Sequence, residues 1–176
     1  MYKYLLRKKI KNILQNSERK KAYLNLNEIK SILVLFDTEN FDDANQFILQ
    51  MKEMGKQTNV LAFKSKKDSR NYDNTSYVFV TGKDMRELKG DSLVRIINSL
   101  TDEPFDLIVN FTLKENLLLL YVLVSTKSPL KVGFYKHDLP FHDIVISFAP
   151  GLAPTVKELG EQLVHYLTVI SSGAKK

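Results

Sequence analysis

The segment Lys136–Asp143, KHDLPFHD, holds two of the three histidines of the chain, each followed by an aspartate. A neutral imidazole can ligate a divalent metal or accept a proton, and a neighbouring carboxylate can orient it. His137-Asp138 and His142-Asp143 are therefore where acid–base or metal chemistry is sought first. Pro140 puts both pairs in a loop, and the third histidine, His165, falls beside Tyr166 on a helical stretch. A polar loop whose aspartates accept local backbone hydrogen bonds accounts for the same residues.

A second set of candidates follows from position. In an open parallel sheet, ligands bind beyond the carboxyl ends of the strands, where the strand order reverses. The chain places Asp37 and Asn40 after a first apolar run, Lys64 after a second, Asn110 and Thr112 after a later one, and Tyr135 and His137 after another. Asp37, Asn40, Lys64, Asn110, Tyr135 and His137 are the candidate ligand-binding residues. The first strand–helix turn reads DTENFDD. It lacks the glycines that let backbone approach a pyrophosphate, and its acids repel one. Thr81-Gly82-Lys83-Asp84 lacks the upstream glycine and the following hydroxyl of a phosphate loop. No serine sits in a nucleophile elbow. No catalytic residue, metal or cofactor is assigned.

The elements that must position these residues follow from hydrophobic periodicity. Ser31–Asp37 is a continuous apolar run, the signature of a strand buried on both faces, and Asn59–Lys64, Tyr77–Val80, Asp106–Phe111 and Leu130–Tyr135 read as further strands, with Ile144–Phe148 as a sixth. Helical stripes cover 2–23, a segment capped by Asn40 and ended by Gly55, a segment capped by Asp91, Glu115–Lys127 and Thr155–Ile170. Glu115–Lys127 is apolar nearly all round and should lie deep. Ser65–Thr75 reads as a long mobile loop. Strands alternating with helices imply right-handed crossovers and a mainly parallel sheet. The expected fold is a Rossmann-like three-layer α/β/α sandwich of five or six strands with an extra N-terminal amphipathic helix. Residues 1–30 form that helix and a bridge, 31–170 a single α/β domain, and 171–176 a frayed tail.

Charge divides the chain. Residues 1–30 carry nine Lys/Arg and two Glu, a net of +7 in a chain whose total is +6, so the other 146 residues are close to neutral. The apolar residues Leu5, Leu6, Ile10, Ile13 and Leu14 recur at helical spacing among Arg7, Lys8, Lys9 and Lys11. Such a helix can lie on an anionic membrane, pack on a partner protein or a second copy of the chain, or pack on its own domain with its charges solvated. Nucleic acid is the least favoured partner, because beyond the loop around Lys64–Arg70 the body adds no basic patch. The absence of cysteine excludes disulfides and thiolate chemistry and fits a cytoplasmic setting. No apolar run reaches the roughly 20 residues of a membrane span, so membrane association would be peripheral.

Two resemblances rest on these segments. The order of a basic helix, SILVLFD, an extended middle, PFDLIVNF…LKVGFYKHDLPFHDIVI and a final helix ending HYLTVI resembles an uncharacterised bacterial α/β family. That resemblance implies the fold and lends no activity. Phe105–Phe134, a "DLIV" strand, a long apolar helix and a "KVGF" strand, is also similar to part of the N-terminal half of heptosyltransferase-type glycosyltransferases. The chain departs from that pattern in lacking the glycine-containing turn after the first strand. The expectation is a non-catalytic α/β domain that contacts a partner protein or an anionic membrane through its basic helix. The alternative is a small-molecule-binding or glycosyltransferase-like domain with its site at the strand ends.

Overall fold

A computed structural model describes residues 2–73, 75–86, 96, 99, 105–134 and 139–170. In chain order the elements are α1 (Tyr2–Gln15), β1 (Ser31–Asp37), a 3₁₀ turn (Thr38–Asn40), α2 (Phe41–Glu53), β2 (Gln57–Lys64), β3 (Val78–Thr81), α3 (Gly82–Arg86), β4 (Leu107–Asn110), α4 (Leu117–Ser125), β5 (Leu130–Gly133), β6 (Ile144–Val145) and α5 (Val156–Val169). The helix expected from Asp91, the segment 135–138 and the tail 171–176 lie outside the described residues, save for Ile96 and Ser99.

The six strands form one parallel sheet in the order β3-β2-β1-β4-β5-β6. This is the doubly wound arrangement, and the expected α/β fold is observed. Each half winds outward from the centre, β1 to β3 one way and β4 to β6 the other. Right-handed crossovers running in opposite directions must put their helices on opposite faces. They do: α2 and α5 cover one face, over Ile32, Val34 and Phe36, while α4 and α1 cover the other, over Leu33 and Leu35. Adjacent residues of β1 thus feed separate cores, which is why SILVLFD has no polar position between its ends.

Local chemistry sets the ends of the helices. Gly55, at φ +75°, closes α2 by donating to the Lys52 carbonyl while Lys56 N–H reaches back to Met51. Thr155 accepts from the Glu158 amide and Glu158 accepts in return from Thr155 N–H, a reciprocal cap on α5. Asn40 occupies the N-cap position of α2, but its side chain makes no capping bond, because the 3₁₀ turn Thr38–Asn40 already leads the chain into the helix.

The N-terminal helix is shorter than its periodicity suggests. It stops at Gln15, where the Asn16 side chain bonds back to Asn12, and the chain beyond is non-helical. Arg19 explains the departure. Its guanidinium forks onto both oxygens of Asp143 at 2.7 and 2.8 Å and also donates to the carbonyls of Ser128 and Pro129. Four bonds to fixed acceptors hold residues 17–24 along the sheet's amino edge instead of in a helix. Leu6 and Ile10, read as partner- or membrane-contact residues, are each only 2% exposed and pack on α4. Ile13 and Leu14 are partly buried in the same core.

Candidate functional site

The carboxyl ends of β1 and β4, the two central strands, mark the switch in winding direction. A cleft of about 290 Å³ opens there. Its floor is Asp37 and Thr38 at the end of β1. One wall is Phe63 and Ser65, around the end of β2. The other is Lys114 to Leu117, leading into α4. Lys3 of α1 and Glu39 stand at the rim.

Asp37 is 6% exposed. It is buried because it ends β1, a central strand with neighbours on both sides, one residue past the apolar stretch that feeds the two cores. Asn116 holds it in two ways at once. Its side-chain oxygen accepts from the amides of Leu118 and Leu119, capping α4, while its Nδ2 donates to Asp37 Oδ1 at 2.7 Å. Burial pushes the Asp37 carboxyl above its ordinary value, a shift that the Asn116 hydrogen bond and the charge of Lys114 oppose in part and Glu39 reinforces. Two of the other carboxylates nearby are paired, while Lys3 at the rim makes no ion pair among the described residues. Lys114 bonds Glu39 at 2.8 Å, and Arg7 reaches from α1 to Glu115 at 2.6 Å.

The loop read as mobile is instead tied down beside the site. Arg70 donates to the carbonyl of Thr38, pairs with Asp68 at 3.2 Å and lies over the rings of Phe41 and Tyr72. Tyr72 donates to Asp68 at 2.5 Å and stacks on Phe79 with ring centroids 4.6 Å apart. The nearby Thr38 hydroxyl and hydrogen bonds from Tyr72 and Arg70 hold the Asp68 carboxyl well below the usual carboxylate range. An aromatic and cationic clasp of this kind replaces the apolar residues the loop lacks.

The sequence candidates separate accordingly. Asp37 lies in the cleft. Lys64 turns away from it, with Nζ 5.2 Å from the Tyr72 ring centroid and bonded to the Arg70 carbonyl. Asn40 does not line the cleft. Asn110 is 1% exposed and structural: its oxygen accepts from Thr112 and its nitrogen meets His142 Nε2 at 3.3 Å. Tyr135 and His137 lie outside the described residues.

The dipeptide His142-Asp143 divides between two tasks. The His142 ring fills the space over Gly133, where a Cβ would stand 2.3 Å from Nε2. Asp143 accepts from Lys131 N–H and Arg19. Among the described residues, no three His, Asp or Glu side chains converge as metal ligands. Thr81 gives both its amide and its hydroxyl to Asp84, so that turn offers them to no anion.

Lys114, Glu115, Asn116 and Lys3 escaped the sequence reading. Asn116 alone carried a local signal, as an Asn directly before an apolar run. Lys3 reaches the cleft only because α1 folds back across the sheet.

The comparisons accord with this architecture. No curated protein matches the sequence. The crystal structure of an exopolyphosphatase-related protein from Bacteroides fragilis superposes with a TM-score of 0.50 at 14% identity, over 93% of this chain and 44% of that one. At that identity the likeness establishes the fold alone, and this chain spans less than half the length of that protein. The stretch Phe105–Phe134, similar in sequence to part of heptosyltransferase-type enzymes, forms β4, α4 and β5 in the expected order of strand, apolar helix and strand. Residues 3–170 match a Family of unknown function (DUF6913), and the chain belongs to that family.

Proposed function

We propose that this protein binds a small polar molecule in the cleft at the carboxyl ends of β1 and β4. One observation carries the reading: a carboxyl group, Asp37, is buried at the floor of an open cleft at the switch point of a doubly wound sheet. Burying a carboxyl is costly, and a cleft that keeps one accessible at its base suits a ligand group that compensates it. The cleft volume suits a compound of metabolite size rather than a polymer. Amide NMR spectra of the full-length chain, titrated with small amines, amino acids, sugars, carboxylic acids and nucleotides, test this. At least one compound should shift the amides of residues 37–39, 63–65 and 114–117. If none moves them at millimolar concentration, the proposal fails.

A second reading rests on α1. With Leu6 and Ile10 buried, its outward side presents Lys8, Lys9 and Lys11 beside Tyr4 (70% exposed) and Leu5 (55% exposed). No helix among the described residues is long and apolar enough to cross a membrane. The reading is a cytoplasmic protein whose α1 rests peripherally on an anionic surface, either lipid or an acidic partner, through cations and two exposed side chains. The full chain should co-sediment with phosphatidylserine-containing vesicles and not with neutral ones, and Lys8→Glu with Lys11→Glu should release it. Equal partition onto both vesicles, or onto neither, removes the membrane form of this reading.

A further inference from the structure

We propose that the ligand of this cleft carries a protonated amine that docks on Asp37, an inference that rests on the cleft being the binding site. The cleft contains three carboxylates, Asp37, Glu39 and Glu115, and two lysines, Lys3 and Lys114. Glu39 and Glu115 each form an ion pair with a resident cation, Lys114 and Arg7. Asp37 forms none among the described residues; it feels the charge of Lys114 only at a distance, and Glu39 opposes that. Among the described residues its carboxylate receives one hydrogen bond, from the neutral amide of Asn116, and that bond reaches only Oδ1. A carboxylate with an oxygen to spare thus lies buried at the floor of the cleft.

At the floor an anionic ligand finds little, since the unpaired cation of the cleft among the described residues, Lys3, stands at the rim. The first free amides of α4, the usual cradle for a phosphate or carboxylate, are already taken by Asn116. A ligand anion on the floor would also face Asp37 itself. A cation meets the opposite situation, because an ammonium supplies both the missing charge and the missing donor. Phe63 and Leu117 give a short aliphatic stem its apolar contact, and the Ser65 hydroxyl offers a second polar group. The combination fits a small aliphatic amine better than a sugar or a nucleotide.

Four matched probes separate the possibilities: butylamine, butanol, butyrate and 4-aminobutyrate, titrated by amide NMR at equal ionic strength and neutral pH. Butylamine and 4-aminobutyrate should shift the amides of residues 37–39, 63–65 and 114–117, while butanol and butyrate should leave them in place. Asp37→Asn should weaken both amines by at least about tenfold. The variant's own amide spectrum reports whether it folds, and the carboxamide oxygen it introduces can still accept from Asn116. Ser65→Lys gives an independent check, since a resident ammonium at the wall should compete with the added one. Butanol or butyrate binding as well as the amines, or amines binding Asp37→Asn unchanged, overturns the amine assignment and leaves the cleft standing. Amine probes that move nothing, while another compound class of the wider titration does, overturn it likewise. If both titrations leave these amides unmoved, the cleft itself is not a binding site.

Discussion

At the residue scale, the chemistry of this chain is decided by which polar groups are buried and what each is given in return. Asp37 and Asn110 both end central strands, but Asn110 spends its side chain on Thr112 and His142, whereas Asp37 receives one bond. Asp37 was legible from its place after an apolar run. Its distinction from Asn110 was not, because that depends on partners 79 and 32 residues away. Lys131 is a second costly burial. It is 4% exposed on β5, and its ammonium donates to the Leu123 carbonyl of α4. Burial, with Arg19 nearby, pushes it down from 10.5 to about 7, against the pull of Asp143. Between those values the folded protein holds fewer protons than the unfolded chain, so stability rises with pH across the window, by up to about 1.4 kcal/mol per unit. Lys131→Met, which keeps an apolar stem, should flatten that rise. Urea unfolding at several pH values from about 7 to 10 measures it. An undiminished slope in the variant would assign the rise to other groups.

At the scale of elements, α1 is the piece whose meaning changed most. Its amphipathic stripe was plain in the sequence, but a stripe specifies burial without naming what buries it. The answer is α4, whose nine residues include seven buried apolar ones and so need cover on the side away from the sheet as well. Leu6→Ala should therefore cost about 2–5 kcal/mol, as truncation in a packed core does. Lys8→Ala on the solvent side should cost no more than about 0.5 kcal/mol. Denaturant midpoints of the two variants check both figures. A neutral Leu6→Ala would make α1 a detachable arm. The loop after β2 carries a similar lesson. Its polar composition suggested mobility, yet Arg70, Asp68 and Tyr72 fold it onto the 3₁₀ turn after β1 and onto α2 through contacts that no window of sequence displays.

At the scale of the whole molecule, the basic N-terminal segment is built into the domain at both edges of the sheet. Arg7 and Lys3 reach the carboxyl-edge cleft, and Arg19 grips Asp143 near the amino end of β6. The Arg19 and Asp143 side chains are 12% and 3% exposed. Removing one partner of so enclosed a pair leaves a buried charge, and Arg19→Met should cost about 3–5 kcal/mol at neutral pH. Burial raises the Asp143 carboxyl, but hydrogen bonds from Arg19 and Lys131 N–H, with the charges of Arg19 and Lys21, bring it below its ordinary value. A depressed acid stabilises the fold above its unfolded pKa and loses that contribution as pH falls through the folded one. The penalty of Arg19→Met should accordingly shrink below about pH 4, which unfolding at acid pH can read. A penalty that holds constant into acid would assign it to lost packing. By itself the sequence determined the α/β class, the strand positions and the burial of β1 on both faces, because these follow from local periodicity and from the handedness of crossovers. It also determined that the first turn is no phosphate loop, since that turn has no glycine to spare. Only the tertiary structure decided the strand order, the cover of α4 by α1, the distinction between Asp37 and Asn110 and the assembly of the cleft. Those features are pairings between residues far apart in the chain, and their energy exists only once the sheet has brought the partners together.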